Sequence, residues 1–217
     1  MNRWFDNIPF LKGKVPGKIV LSALLLIYSV LVFGISVILG KFRLDRVLIC
    51  IAMFFSFGGD VMLNGVSLQK RTKKRFIGGA IFFAFAHLVY VYAYSYLIRL
   101  KGFIVKSIAF YVVWFIVILF ILIPFILKIL SKHQRMKLFD LFGIGYLFFV
   151  TLNCATAVSY SSSVRGFTFL AAIGSISFFI SDILIGVETF LEIKSKTIRE
   201  LIWWFYPIGQ FLIITMG

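Results

Sequence analysis

The chain has 217 residues, of which 61% are hydrophobic and only 14% are charged, and its mean hydropathy is +1.03. This composition excludes a soluble globular domain and predicts several segments that can cross a bilayer. The net charge of +15 does not indicate nucleic-acid binding, because the 23 Lys and Arg residues lie almost wholly in short gaps between apolar segments. In a membrane protein, basic residues in such gaps set the topology and contact anionic headgroups.

The apolar segments predict seven helices after a short lead-in. Residues 1–17 mix basic residues, prolines and aromatic residues, and the apolar run that follows is too long for a signal peptide. We therefore predict an interfacial segment at 1–17 and a single transmembrane helical domain at 18–217. The predicted helices cover about residues 19–39, 47–65, 76–98, 107–130, 138–160, 167–187 and 201–216. The expected fold is an all-α, polytopic transmembrane helical bundle with seven spans.

Basic residues are divided unevenly between the two sides of this arrangement. Sixteen of them share a side with the N-terminus, and seven lie on the other side. The positive-inside rule therefore predicts a cytoplasmic N-terminus and a cytoplasmic position for the dense basic cluster Lys70–Arg75. We expect an integral protein of the cell membrane.

The second predicted helix carries a carboxylate inside an apolar segment. Asp60 lies in the stretch S-F-G-G-D-V-M-L-N, where a charged side chain costs about 2.5–3.5 kcal/mol unless it meets a partner or water. Ser56, Asp60 and Asn64 recur at every fourth residue and so form one polar stripe on a helix. Gly58 and Gly59 beside this stripe allow another helix to approach closely.

The sixth predicted helix repeats the pattern with Ser181 and Asp182 in apolar surroundings. Asp60 and Asp182 both lie about one and a half turns before the cytoplasmic ends of their helices, and this shared depth favours a single site. The short likeness between G-D-V-M-L-N-G-V and S-D-I-L-I-G-V favours two parallel repeats of three helices each, joined by one further helix. The alternative is that both aspartates only hold helices together through hydrogen bonds.

Further polar candidates lie in the third and seventh helices. His87 and Tyr90 fall on one face of the third helix, and Tyr206 and Gln210 lie one turn apart in the seventh. The histidine could equally be a packed residue hydrogen-bonded between helices, and the Tyr206–Gln210 pair could equally serve interhelical packing.

Other chemistries find little support in the sequence. Cys50 and Cys154 lie within apolar segments, which indicates neither a disulfide framework nor a metal site, and two histidines are too few for a multi-histidine zinc centre. The Gly58-Gly59-Asp60 stretch is close to the G-x-G-D motif of intramembrane aspartyl proteases, but Phe57 stands where that motif has its first glycine.

Four motifs occur in a fixed order along the chain. They are G-D-V-M-L at 59–63, F-x-x-A-H-L-V-Y at 83–90 after a glycine pair, S-D-I-L at 181–184 and Y-x-x-x-Q at 206–210. In this order they resemble the YhhN-like lysoplasmalogenase family, and the resemblance covers about residues 45–216. That family is usually drawn with eight spans, so an eighth helix, reduced to residues 4–12, is the alternative to seven.

The resemblance implies hydrolysis of the vinyl ether of a lysoplasmalogen to a fatty aldehyde and a glycerophospho-alcohol, without a cofactor or a metal. Asp60 and Asp182 stand at the family's proposed catalytic positions. One protonated carboxyl would protonate the vinyl ether, and the other, ionised, would stabilise the resulting cation and activate water. The expected partners are a lysophospholipid substrate and membrane lipids. Predicted substrate contacts are Asn64, His87, Tyr90, Ser181, Tyr206 and Gln210.

A different class of function also fits these residues. A small multi-pass transporter or lipid-binding membrane protein could use the two aspartates to relay protons or to bind its substrate. The repeat arrangement favours this alternative, whereas the additional motif around His87, which has no counterpart in the second repeat, favours the enzyme.

Overall fold

The computed structural model describes residues 17–64, 73–132, 138–164, 166–193 and 195–216, and these residues form seven α-helices without a strand. In chain order the helices are α1 Gly17–Ile38, α2 Leu44–Asn64, α3 Lys73–Leu100, α4 Ile104–Lys132, α5 Leu138–Ser163, α6 Phe169–Phe190 and α7 Lys196–Met216. The predicted all-α bundle is confirmed, and each predicted helix is present with ends shifted by a few residues. The predicted interfacial segment and the alternative eighth helix lie almost wholly outside the described residues.

Helices α1 to α6 are long and apolar enough to cross a membrane. The remaining helix, α7, has 21 residues and so is about 30 Å long, but charged residues in its first turns and polar residues in its middle make it less apolar. It packs against α6, α1 and α2, so these neighbours cover much of its polar content. The protein is an integral multi-pass membrane protein.

Six of the helices form a closed ring. Along this ring α1 packs on α2, α2 on α3, α3 on α5, α5 on α6, α6 on α7, and α7 returns to α1, while α4 packs mainly on the outside of α5. The ring consists of two triplets, α1–α2–α3 and α5–α6–α7, which meet at α3 with α5 and at α7 with α1. The contacts agree with the predicted arrangement of two parallel three-helix repeats joined by α4.

Glycines bring the neighbouring helices into close contact at two corresponding interfaces. A Cβ atom added to Gly59 of α2 would lie 2.6 Å from the Phe83 ring of α3. At the α6–α7 interface, a Cβ on Gly174 would lie 2.8 Å from the carbonyl oxygen of Gly209, and the reverse distance is the same. The expectation that the glycines beside Asp60 permit close helix approach is confirmed, and the second triplet uses the same means.

The polar faces recognised in the sequence point into the ring. Seven polar residues of α2, α3 and α7 are each at most 1% exposed: Ser56, Asp60, His87, Tyr90, Tyr94, Tyr206 and Gln210. Buried polar groups require hydrogen-bond partners, so the inside of the ring is expected to hold a connected polar network.

Candidate active site

Asp60 lies one turn before the end of α2 and is completely buried. Its Oδ2 accepts a hydrogen bond of 2.5 Å from the Tyr206 hydroxyl of α7. Lys18, in the first turn of α1, brings its Nζ to 3.5 Å from Oδ1, and the same Nζ lies 4.6 Å from the centre of the Tyr206 ring. A charge that would be costly alone at this depth therefore has an opposite charge beside it.

Lys18 and its neighbour Ser22 were missed as site residues by the sequence analysis. Ser22 lies one turn after Lys18 on α1 and is fully buried, and its hydroxyl has no hydrogen-bond partner among the described residues. The sequence signal is the spacing of four residues between a lysine and a serine at the start of an apolar helix. The charge count includes Lys18 only among the basic residues on the side of the N-terminus.

Asp182 lies in α6 and is 5% exposed. Its Oδ2 is 3.1 Å from Nε2 of His87 on α3, and the Tyr146 hydroxyl of α5 is 3.3 Å from the same nitrogen. The second carboxylate is thus held by an imidazole, which a phenol also contacts.

The other ring nitrogen of His87 faces Asn153 of α5, whose Nδ2 lies 3.1 Å from Nδ1. With this amide donating to Nδ1, a neutral ring carries its proton on Nε2 and donates it toward Asp182. These contacts satisfy both nitrogens, as they would in a packed histidine, and they also connect the ring to a carboxylate. Tyr146 and Asn153 were not predicted as site residues, because nothing in the sequence of α5 distinguished them from residues that pack helices.

The two carboxylates have corresponding environments. Asp60 takes partners from α1, the first helix of its own triplet, and from α7, the third helix of the other triplet. Asp182 has its partner on α3, and α5 contacts that histidine, so α3 and α5 hold the same positions relative to α6. The predicted site residues lie on α2, α3, α6 and α7, and their contacts bring in α1 and α5.

Aromatic rings lie between the two environments. The Phe178 ring contacts His87 at 4.8 Å and Tyr206 at 5.4 Å between ring centres. Both carboxylates therefore face one buried region inside the ring rather than the lipid.

A second polar cluster lies next to this region. The Tyr90 hydroxyl donates to Gln210 Oε1 at 2.6 Å, and Gln210 Nε2 donates to Ser56 Oγ at 3.2 Å. The predicted substrate contacts Tyr90 and Gln210 are thus hydrogen-bonded to each other, one turn along α3 and α7 from His87 and Tyr206. Their contact with substrate stays a prediction.

Two other predicted contacts have different outcomes. Ser181 is fully buried, and its hydroxyl has no hydrogen-bond partner among the described residues. The side chain of Asn64, the last residue of α2, lies outside the described part of the structure. No group of three His, Cys, Asp or Glu side chains that could hold a metal ion occurs in the described ranges.

A family model described as YhhN family matches residues 14–216, which include all seven helices and both aspartates. The chain belongs to the YhhN family. No curated protein and no solved structure matches the chain. Membership of the YhhN family suggests a lysoplasmalogenase-type hydrolase, and the matched range includes Lys18, Tyr146 and Asn153 together with the motifs noted in the sequence.

Proposed function

We propose that this YhhN protein is a membrane-embedded hydrolase that cleaves the vinyl ether bond of lysoplasmalogens. The observation that carries the proposal is the pair of buried carboxylates with unlike partners, a lysine and a phenol at Asp60 but a histidine at Asp182. Enzymes that need an acid and a base in one site commonly give two similar groups different environments. Family membership supports the same class of reaction.

The partners suggest which carboxylate takes which role. The Lys18 ammonium beside Asp60 favours the ionised carboxylate, which suits a group that stabilises a cation and accepts a proton from water. Asp182 has no lysine or arginine among its described contacts, and the His87 Nε2–H donates to its Oδ2, so Oδ1 is free to carry the acid proton. We therefore assign Asp182 as the general acid and Asp60 as the carboxylate that activates water.

The reaction then follows in three steps. Asp182 transfers its proton to the β-carbon of the vinyl ether, and the electrons of the double bond form the new C–H bond and leave an oxocarbenium ion. Water attacks the α-carbon and gives its proton to Asp60, which yields a hemiacetal. The hemiacetal gives its hydroxyl proton to Asp182 as its bond to the glycerol oxygen breaks, and that oxygen takes the proton from Asp60. A fatty aldehyde and a glycerophospho-alcohol leave, and both carboxyls return to their starting states.

Release of aldehyde from lysoplasmalogen by the purified protein in detergent tests the proposal. Asp60→Asn and Asp182→Asn should each reduce turnover to background while the variants remain folded. Asp45→Asn is a matched control, because Asp45 is also buried on α2 but lies at the opposite end of the helix, 2.6 Å from Arg43. Near wild-type turnover in either site variant would mean that the mutated carboxylate is not catalytic.

A transporter or lipid-binding protein is the second candidate, and the two equivalent triplets favour it, because many transporters consist of repeats with polar sites at the repeat interface. The aldehyde assay separates the two functions, since a transporter releases none. Binding of the intact lipid without its cleavage by the wild-type protein would support this second candidate.

A further inference from the structure

An apolar groove opens between α3 and α5, with a volume of about 270 Å³. Small residues of both helices line it, Ala80 and Ala84 on α3 and Gly145 on α5. Larger side chains such as Leu141 and Phe149 form its walls, and Leu141 is 53% exposed on the outer surface of the bundle. The groove is thus open toward the lipid side of the ring.

The groove and the candidate site share one residue. Tyr146 lines the groove, and its hydroxyl lies 3.3 Å from His87 Nε2, which in turn contacts Asp182. The groove occupies the first halves of α3 and α5, which begin on the same side of the membrane. It therefore lies in the half of the bilayer that also holds the carboxylates, and Tyr146 separates it from the Asp182–His87 pair.

We propose that this groove holds the hydrocarbon chain of the lysolipid, so that the chain passes from the bilayer along α3 and α5 and presents its vinyl ether to Asp182. This inference rests on the proposed function. The occupant is a lipid chain because the groove is lined almost entirely by carbon, lies within membrane-spanning segments, and is joined through the Tyr146 hydroxyl to a buried histidine and carboxylate.

The size of the groove also fits this occupant. Pockets that enclose a whole small molecule measure about 300–1,000 Å³, so about 270 Å³ suits part of a single chain whose remainder stays in the bilayer. Gly145 leaves open space in the groove, since a Cβ built on it would meet nothing within 4 Å. A larger side chain at this position can therefore fill the groove without moving the backbone.

The experiment uses a photoreactive lysolipid in which an alkyl ether replaces the vinyl ether and the chain carries a diazirine. This probe cannot be cleaved, so its labelling does not depend on activity. In wild-type protein we expect labelling of the peptides that contain residues 80–84 and 141–149. Gly145→Leu should reduce this labelling about tenfold, because the new side chain displaces a few methylenes from the groove. Gly34→Leu is the matched control, because a Cβ added to Gly34 on α1 also meets nothing within 4 Å. In this variant the labelling of the groove between α3 and α5 should be the same as in the wild type.

Three results would overturn the inference. They are labelling spread evenly over the lipid-facing helices, labelling of the groove that Gly145→Leu leaves unchanged, and absence of groove labelling in a protein that is dimeric in detergent, which would mean that a second copy of the chain covers the groove. If the groove is labelled as expected but the wild-type protein releases no aldehyde from lysoplasmalogen, the hydrolase proposal fails and the lipid-binding groove stands.

Discussion

At the scale of single residues, Lys18 decides how the two carboxylates can differ. It is the cation beside Asp60, and it is only slightly exposed at the start of α1. Removing one partner of a buried ion pair leaves the other charge uncompensated, which costs about 3–5 kcal/mol. We expect Lys18→Met to lower the free energy of unfolding by about 3 kcal/mol and to lower kcat, as measured by thermal unfolding in detergent and by aldehyde release.

Two further variants separate the charge from the packing. Lys18→Arg keeps the charge and should retain most of the stability. The double variant Lys18→Met with Asp60→Asn should regain stability without regaining activity, because it leaves no unpaired charge. If Lys18→Met unfolds at the wild-type temperature, the ion pair does not contribute to stability and the assigned ionised state of Asp60 loses its support.

His87 provides a second test at the same scale, because it connects Asp182 to Asn153. If its hydrogen bond positions Asp182 as the acid, His87→Gln should remove much of the acid's contribution and lower kcat by about 10²–10⁴ with little change in KM, and the bell-shaped pH dependence expected for an acid–base pair should change shape. A histidine that only packs would affect stability and leave the pH profile unchanged. Tyr94→Phe is the control, since Tyr94 lies on the same face of α3 and bonds to Ser175 instead.

At the scale of helices, the close contact of α6 and α7 determines where Tyr206 and Gln210 lie. A Cβ on Gly209 would be 2.8 Å from the Gly174 carbonyl oxygen and 2.8 Å from the Phe178 nitrogen, both of them backbone atoms that cannot turn aside. We expect Gly209→Ala to push the helices apart and to lower the free energy of unfolding by about 1–3 kcal/mol. Thermal unfolding in detergent measures this change.

Gly34→Ala provides the comparison for this helix interface. It makes the same substitution in α1, where the added Cβ meets nothing within 4 Å, and alanine is favoured over glycine in a helix by about 0.5–1 kcal/mol. This variant should therefore be as stable as the wild type or slightly more so. Equal destabilisation by both substitutions would show that the α6–α7 contact is not especially close.

At the scale of the whole molecule, the side of the membrane on which the site lies follows from the order of the helices. Lys18 in the first turn of α1 meets Asp60 near the end of α2, so the candidate site is at the membrane side where α1 begins. The charge count predicts that this side is cytoplasmic, and the cluster at 70–75 belongs to it. Residues 70–72 of that cluster lie outside the described residues, and residues 73–75 form the start of α3.

Neutralising the basic cluster tests this topology together with substrate binding. If the cluster attracts the phosphate headgroup, its neutralisation should raise KM about tenfold with little change in kcat, because the cluster lies outside the apolar region and cannot reach the scissile bond. The residues to change are Lys70, Arg71, Lys73, Lys74 and Arg75. Neutralising Lys41, Lys101 and Lys106 on the other side is the control and should leave KM unchanged. A loss of kcat at constant KM would indicate that the headgroup binds elsewhere.

The sequence by itself determined the helices and their polar faces. Span length, apolarity and the helical period are local properties, so the seven helices, the burial of Asp60 and Asp182 and their location on one side of the membrane could be predicted. The partners could not be predicted from the same information. Lys18, Tyr146 and Asn153 are ordinary residues in their own helices, and they become site residues only because the ring closes. Which side chains meet depends on the contacts of α7 with α1 and of α3 with α5, between helices far apart in the chain, and only the tertiary structure decides these contacts.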